Sequence, residues 1–580
     1  MRQKASIAGR SYLFNALFIV TGFAGFICLF LGYHKAYENF SLPMKIIGFS
    51  LLTFSTTGIL IFRGRLMMSH VSRAIVGTLF IVSGMLKIND PIGFSYKLTE
   101  YFNEGALSYS IKKIFHVSTF SLEFLIPHAV SIAFIIALLE LVIGMLLLLG
   151  GLAKTVSYVL LFLMCFFTFL TWHTAECDSS KKYLDRTVLS VANPSTQHIV
   201  NALKKNKALH LIARDSKKVV IGEWKQPVCV TDCGCFGDAV KGSVGRSLTP
   251  IESFWKDILV LYLACWIFSA QWIASPNSNR QNLKYLTFYV ITSISLSLLF
   301  SWYFITLFGL FLLIGSLWVK RVGGRLLGTN FGSVLFVVCS GLITGVYVVR
   351  NEPLKDFRPY AVGSNLRYKM NDGKDGTYEN TLVYINRKTG KMARYSATST
   401  SYLKSRIWSN KDWRFKAMQQ KEIEPTQSPS ITKQFDPSIF ERDLTQAELT
   451  FPPIQEMLKA HHELSLRDYI VKTKLIVLLT SVDLKHAHWD DVAAYQNLYR
   501  LCLKQHVPFI CITSSDKSVV NTLRRKTHFV VPTFFNDPTE LKAIARSNPS
   551  VMFIRKGVVI GKFSHRSLPS LEWIKKHLLK

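Results

Sequence analysis

Apolar residues follow two regimes along this chain. Before residue 351 they form long runs broken by short polar stretches. After it they form brief runs separated by turn-forming residues. The long runs are 11–33, 46–62, 71–89, 124–150, 154–173, 255–274 and 329–349. As helices, runs of about 20 residues cross ~30 Å of hydrocarbon. The stretch 285–318 is too long for one span and tight for two. A turn near Ser301-Trp302-Tyr303 divides it and gives about nine spans. The first run outlasts a signal-peptide core and no small-residue cleavage site follows it, so it is expected to be retained.

Charge supports that division. The N-terminus and the stretches 63–73, 151–154, 275–284 and 319–328 carry twelve Lys/Arg and no Asp or Glu. The alternate loops mix both signs. Such asymmetry predicts a cytoplasmic N-terminus, with loop 174–254 and everything after Asn351 on the opposite side. For a bacterial chain this means an inner-membrane protein with a periplasmic C-terminal region. The net charge is +32, of which 37 Lys/Arg against 22 Asp/Glu lie after Asn351. Much of the remaining excess sits in short loops. There is no basic run interleaved with aromatics, so nucleic acid is not an expected partner. The bilayer is.

The C-terminal part predicts mixed structure. Residues 351–470 are polar and irregular, with strand-like pieces such as 380–396, turning at Thr389-Gly390, and a linker at 421–438. From Lys472 the pattern reads as a strand over 474–481, a helix over 490–506, a strand over 507–515 and a helix over 516–526. A short strand near 529–532, a helix over 537–546, a hairpin over 550–564 around Lys556-Gly557 and a last helix over 568–579 follow. This order, with Asn548-Pro549 before the hairpin, resembles a thioredoxin. The place of the redox motif is occupied by TSVDLKHAHW (480–489), which has no cysteine, so the domain is expected to be redox-silent. Cys502 and Cys511 read as core residues. His486 and His488 are two apart and do not share a helix face, which argues against a metal site.

The candidate chemistry lies in the loop 174–254. CVTDCGCFGD (229–238) places Cys229, Cys233 and Cys235 close together, with Cys177 upstream. On an oxidising side four cysteines allow two disulfides in three pairings. One reading is a structural staple between Cys177 and a later cysteine. Another is a redox pair, Cys233 and Cys235, with Cys229 or Cys177 resolving. Metal binding fits poorly, since the spacing lacks paired C-x2-C and no histidine is near in sequence. Thr249, Pro250 and Glu252 predict a capped helix start just beyond the loop. Cys28, Cys165, Cys265 and Cys339 read as buried apolar thiols within spans. Glu140 lies well inside the fourth span and is expected to face the bundle interior, either protonated in a structural hydrogen bond or in a proton relay near a quinone. Lys87 and Arg73 sit near opposite ends of the third span and are expected to snorkel.

A resemblance sharpens this picture. RAIVGTLFIVSGMLKINDPIGFSYKLTEYF (73–102) resembles the first block of the DoxX family of multi-pass membrane proteins through Arg73, Gly77, Phe80, Ser83-Gly84, Lys87, Asp90-Pro91 and Gly93-Phe94. ELVIGMLLLLGG (140–151) is similar to its second block. CGCFGD (233–238) resembles the cysteine loop of MauE proteins, and DFRPYAVGSNL (356–366) looks like a further block of a subgroup with a periplasmic extension. The resemblance covers 71–275, expected to be a four-helix membrane domain with the cysteine loop, and more loosely 351–580. The two N-terminal helices (1–70) and the three further helices (276–350), with their extra pair at 285–318, are read from the apolar runs and depart from the family pattern. A β-rich periplasmic region and linker (351–470) and a thioredoxin-like domain (471–580) follow. The resemblance also implies support of thiol-disulfide chemistry or maturation of an envelope client protein, with a quinone or a membrane redox partner as electron acceptor. The alternative is a non-catalytic assembly or transport-associated protein with a redox-silent binding domain. No dinucleotide or phosphate loop is present, so no nucleotide cofactor is expected.

Overall fold

The structure, a computed structural model, describes residues 2–33, 41–61, 64–115, 120–177, 183–189, 209–214, 219–225, 227–230, 234, 236, 238–244, 247–273, 276–324, 328–369, 377–387, 392–396, 405, 407, 410, 412–424, 470–471, 473–529 and 531–578. It falls into two compact units, Met1–Arg358 and Pro359–Lys580.

The first unit is helical. Its elements are α1 (Arg2–Tyr33), α2 (Ser41–Ile61), α3 (Arg65–Asn89), α4 (Pro91–Phe102), α5 (Leu107–Phe115), α6 (Ala129–Leu149, entered through a 3-10 turn at Glu123–His128) and α7 (Ala153–Glu176). Three strands follow, β1 (Tyr183–Leu189), β2 (Leu209–Arg214) and β3 (Val219–Lys225). The unit continues with α8 (Asp238–Val244), α9 (Pro250–Ala270), α10 (Asn279–Leu299), α11 (Phe304–Val322) and α12 (Asn330–Asn351). Seven described helices are long and apolar enough to span a membrane: α1, α2, α3, α6 with its entry turn, α7, α11 and α12. The helices α9 and α10 have 21 residues each, but open on polar turns containing Glu252, Lys256 and Asp257, or Arg280, Gln281 and Lys284.

Local chemistry sets several boundaries. Thr249 and Glu252 form a capping box, with Pro250 in the first turn of α9. Ser278 and Gln281 do the same for α10, which therefore starts at Asn279, before the apolar run itself. That extension relieves the tight fit of 285–318. Two helices form, and the chain turns at Phe300–Tyr303, with Ser301 at φ 49°. The strands β1, β3 and β2 make an antiparallel sheet in the stretch read from sequence only as a loop.

The α3–α6 pair forms the middle of the bundle, and small residues set its spacing. A Cβ on Gly144 would lie 2.7 Å from the Gly77 carbonyl oxygen, and one on Gly84 would lie 2.9 Å from that of Ala137. The two backbones touch along this seam, as small residues permit in membrane bundles. The DFR segment closes one end of the unit. Asn89 and Lys355 exchange hydrogen bonds of 2.7 and 3.1 Å, and Arg358 pairs with Asp356 at 2.7 Å and Glu352 at 3.1 Å. Phe357 packs on Phe300 and Trp302.

The second unit holds a three-stranded sheet, β4 (Thr377–Asn386), β5 (Met392–Ser396) and β6 (Trp413–Glu424), in the order β5-β4-β6. The rest is a five-stranded sheet with helices: β7 (Ile476–Ser481), α13 (Val492–Lys504), β8 (Phe509–Thr513), α14 (Lys517–Thr527), β9 (Thr533–Phe535), α15 (Pro538–Ile544), β10 (Ser550–Arg555), β11 (Val558–Ser564) and α16 (Leu571–Leu578). The order is β11-β10-β7-β8-β9, with β7, β8 and β9 parallel and β10 antiparallel to both neighbours. The ninth strand follows Pro532 rather than preceding it. Proline donates no ladder hydrogen bond, and its carbonyl accepts from the Cys511 N–H at 2.7 Å, after which pairing with β8 runs on from Thr533. The Asn548–Pro549 peptide is cis. Tyr360 and Leu366 bury into this sheet's core, so the GSNL half of the 356–366 block belongs here rather than to a separate β-rich region. Of the linker expected at 421–438, residues 421–424 are instead the end of β6, and 425–438 lie outside the described residues.

Cys502 and Cys511 are buried, and burial pushes each thiol up to about 12. Only the thiolate is nucleophilic. Iodoacetamide at pH 8 should therefore leave both unmodified in the native full chain and label both after denaturation. Fast native labelling of either, read by peptide mass spectrometry, would contradict their placement in the core.

Candidate functional site

The bundle encloses a cavity of about 160 Å³ between α3, α4, α6, α7 and α9. Its walls are mainly apolar and aromatic, including Phe80, Phe94, Phe167 and Phe236. The polar groups on it are few. Lys87 Nζ lies 2.8 Å from both carboxylate oxygens of Glu140 and 2.6 Å from Ser83 Oγ, which uses all three ammonium protons. Both members of the pair are about 3% exposed. Lys87 therefore does not snorkel, and Glu140 meets a cation rather than a neutral partner. The seam described above brings the two helices close enough for this pair to form. Arg73 does not snorkel either. It is 6% exposed and hydrogen-bonds to Leu147 O and Asn277 Oδ1.

Another part of the cavity wall is contributed by α9. Lys256 Nζ lies 2.8 Å from Asp257 Oδ1 and 5.2 Å from the Phe236 ring centre. Asp257 is buried, and its Oδ2 has no hydrogen-bond partner among the described residues. A buried carboxylate oxygen without a donor costs free energy unless something else satisfies it. Burial and the Lys256 contact were not legible in the sequence, where Asp257 only follows a capped helix start by about two turns.

The turn from α3 into α4 supplies a further wall. Asp90 accepts from the Gly93 N–H at 2.8 Å and Pro91 opens α4, so one helix ends and a new one begins here, bringing Phe94, Leu98 and Tyr101 to the cavity wall. The cysteine loop is fixed against this helix. Cys177, at the end of α7, is disulfide-bonded to Cys229. Val228 N–H donates to Gly105 O at 2.9 Å, and Val230 packs with Phe94, Leu98 and Tyr101. Gly234 has φ +65°, where a side chain is strained, and a Cβ there would lie 3.0 Å from the Lys97 side chain. Phe236 lines the cavity. Cys233 and Cys235 lie outside the described residues.

The remaining candidates sort as follows. Cys165, Cys265 and Cys339 are exposed on the outer surface of the bundle and Cys28 is partly so, whereas the sequence reading had them buried. Long apolar helices present cysteine as readily to lipid as to neighbours. His486 contacts Asp483 at 2.6 Å, while His488 stacks on His565 at 4.5 Å, so the two histidines go to different partners. Among the described residues no group of three or more His, Cys, Asp or Glu could hold a metal ion.

Residues 68–173 match the family model for DoxX. No curated protein and no solved structure matches the chain.

Proposed function

We propose that this DoxX-like membrane protein supports thiol-disulfide chemistry on an envelope client through Cys233 and Cys235. The reading rests on one observation: Gly234 lies against Lys97 of α4, Phe236 lines a cavity that contains a buried ion pair, and the Cys177–Cys229 bond ties the same loop to the end of α7. With Cys177 and Cys229 bonded to each other, Cys233 and Cys235 are the remaining loop thiols, and Cys177–Cys229 takes the structural role. The similarity of CGCFGD to MauE proteins points the same way. On this reading α9 and α10 join the seven apolar helices as spans, and the excess of Lys and Arg in alternate loops supports a periplasmic side for the cysteine loop and the second unit in a bacterial inner-membrane protein.

In the forward direction a client thiolate attacks the Cys233–Cys235 disulfide and a mixed disulfide forms. A second client thiolate then displaces it. The client becomes disulfide-bonded, and both loop cysteines are left as thiols. Two electrons and two protons pass to a membrane quinone, giving quinol and restoring the loop disulfide. The aromatic walls of the cavity suit a flat ring. The second unit, thioredoxin-like in its β7–α13–β8 and β10–β11 arrangement but without a cysteine in the 480–489 segment where the redox motif would lie, serves as a client-binding scaffold.

Trapping with an alkylating mass tag in intact cells tests the reading. Cys233 and Cys235 should shift between oxidised and reduced forms with added reductant and with quinone inhibition. A pair that stays in one oxidation state under all these conditions ends the proposal. In that case the alternative holds, a non-catalytic assembly protein whose disulfide only staples a loop.

A further inference from the structure

At the opposite end of α3 the bundle holds a second polar site, which the thiol chemistry does not use. Arg73 lies eight residues into α3, about 12 Å along the helix from its start, and is buried. It gives two hydrogen bonds to neutral acceptors, and its guanidinium stacks over the Tyr285 ring at 4.9 Å. A guanidinium has five N–H donors, so three have no protein acceptor among the described residues. No carboxylate pairs with it. None is available nearby in sequence, because every stretch at this end of the bundle, described or not, lacks Asp and Glu. A buried charge without a counter-charge is strongly unfavourable.

Next to Arg73 is a small, partly open cavity of about 20 Å³, also lined by Ser69, Ser157 and Gln271. Gln271 is 3% exposed, and among the described residues neither its amide nitrogen nor its amide oxygen has a partner. Two independent observations thus call for an anion with oxygen atoms: unused guanidinium donors and an unsatisfied buried carboxamide. Gly150, at φ +70°, leaves the space beside Arg73 Nη2 that a Cβ would fill.

The rim identifies the source. Lys154, next to the lining residue Ala153, is exposed and lies 4.4 Å over the ring of Trp272, which follows Gln271. Trp272 is 68% exposed, and Ile273 and Tyr158 are exposed too. A tryptophan with a basic residue beside it, on an apolar surface, marks the level of lipid headgroups. We propose that this site binds the phosphate of an anionic phospholipid, one phosphate oxygen entering between Arg73 and Gln271 and the rest of the headgroup meeting Lys154. The cavity is too small to take a whole phosphate but suits one oxygen.

Native mass spectrometry on the delipidated full chain in mild detergent provides the test, with phosphatidylglycerol, phosphatidylcholine and inorganic phosphate titrated separately. Phosphatidylglycerol should bind about ten-fold more tightly than phosphatidylcholine, and Arg73→Gln should remove most of that preference. Should Arg73→Gln fail to accumulate, Gln271→Leu carries the test: it keeps the packing volume and should weaken phosphatidylglycerol about ten-fold. Equal binding of the two lipids overturns the proposal. So does wild-type lipid preference in both variants, and so does inorganic phosphate competing away all bound lipid, which would mark a free-anion site.

Discussion

Glu140→Ala, in the otherwise intact chain, should destabilise the bundle by about 3–5 kcal/mol, because it leaves Lys87 buried with its charge uncompensated. The pair is about 3% exposed on both sides and makes two 2.8 Å contacts, so bulk solvent does little to compensate a lone charge there. The measurement is the thermal midpoint in detergent, followed by tryptophan emission. The double variant Lys87→Met, Glu140→Met should recover most of the loss, since an apolar pair of similar volume removes both desolvation costs. A single variant as stable as wild type would show that the pair does not form. A double variant as unstable as the single would show that the site needs charge for a reason other than mutual compensation.

The second large effect is expected at the disulfide. Cys177 and Cys229 are 52 residues apart, and closing a ring of that length lowers unfolded-state entropy by the equivalent of about 4 kcal/mol. The helices stay anchored in lipid without the bond, so the loss should fall on the stretch between them. Cys177→Ser with Cys229→Ser should therefore raise the rate of limited trypsin cleavage within 178–228 by at least about ten-fold, while cleavage in the second unit stays unchanged. Equal cleavage rates in wild type and variant would remove the bond's role as an anchor for the loop.

How far these features were legible depended on how far apart in the chain the cooperating residues lie. Helix existence followed from apolar run length, and the α9 cap from Thr249 and Glu252, because those signals are local. The start of α10 was equally local, in Ser278 and Gln281, but the apolar run beginning at 285 outweighed it. The ion pair was not legible. Lys87 near a helix end reads as a snorkelling side chain, and its partner is 53 residues away on a helix whose rotation the sequence does not fix. Ser83-Gly84 with Gly77, set against Ala137 and Gly144, was the available signal. Small residues spaced along two apolar helices indicate a contact seam, and Lys87 continues that face of α3. The Arg73 site was hidden for a related reason. A buried arginine is informative only once the absence of nearby acids is joined to the burial of Gln271, and burial is a property of the packed bundle.

The glycine seam between α3 and α6 bears on how such a protein could work. Where backbone meets backbone there are few rotamers to rearrange, and sliding one helix past the other would drive carbonyl oxygens into each other. This pair is the static frame of the bundle. Any opening that admits or releases an occupant would then fall to the opposite walls, where α4 joins α3 through the capped break at Asp90-Pro91 and α9 lines the cavity with Lys256, Asp257 and Val260.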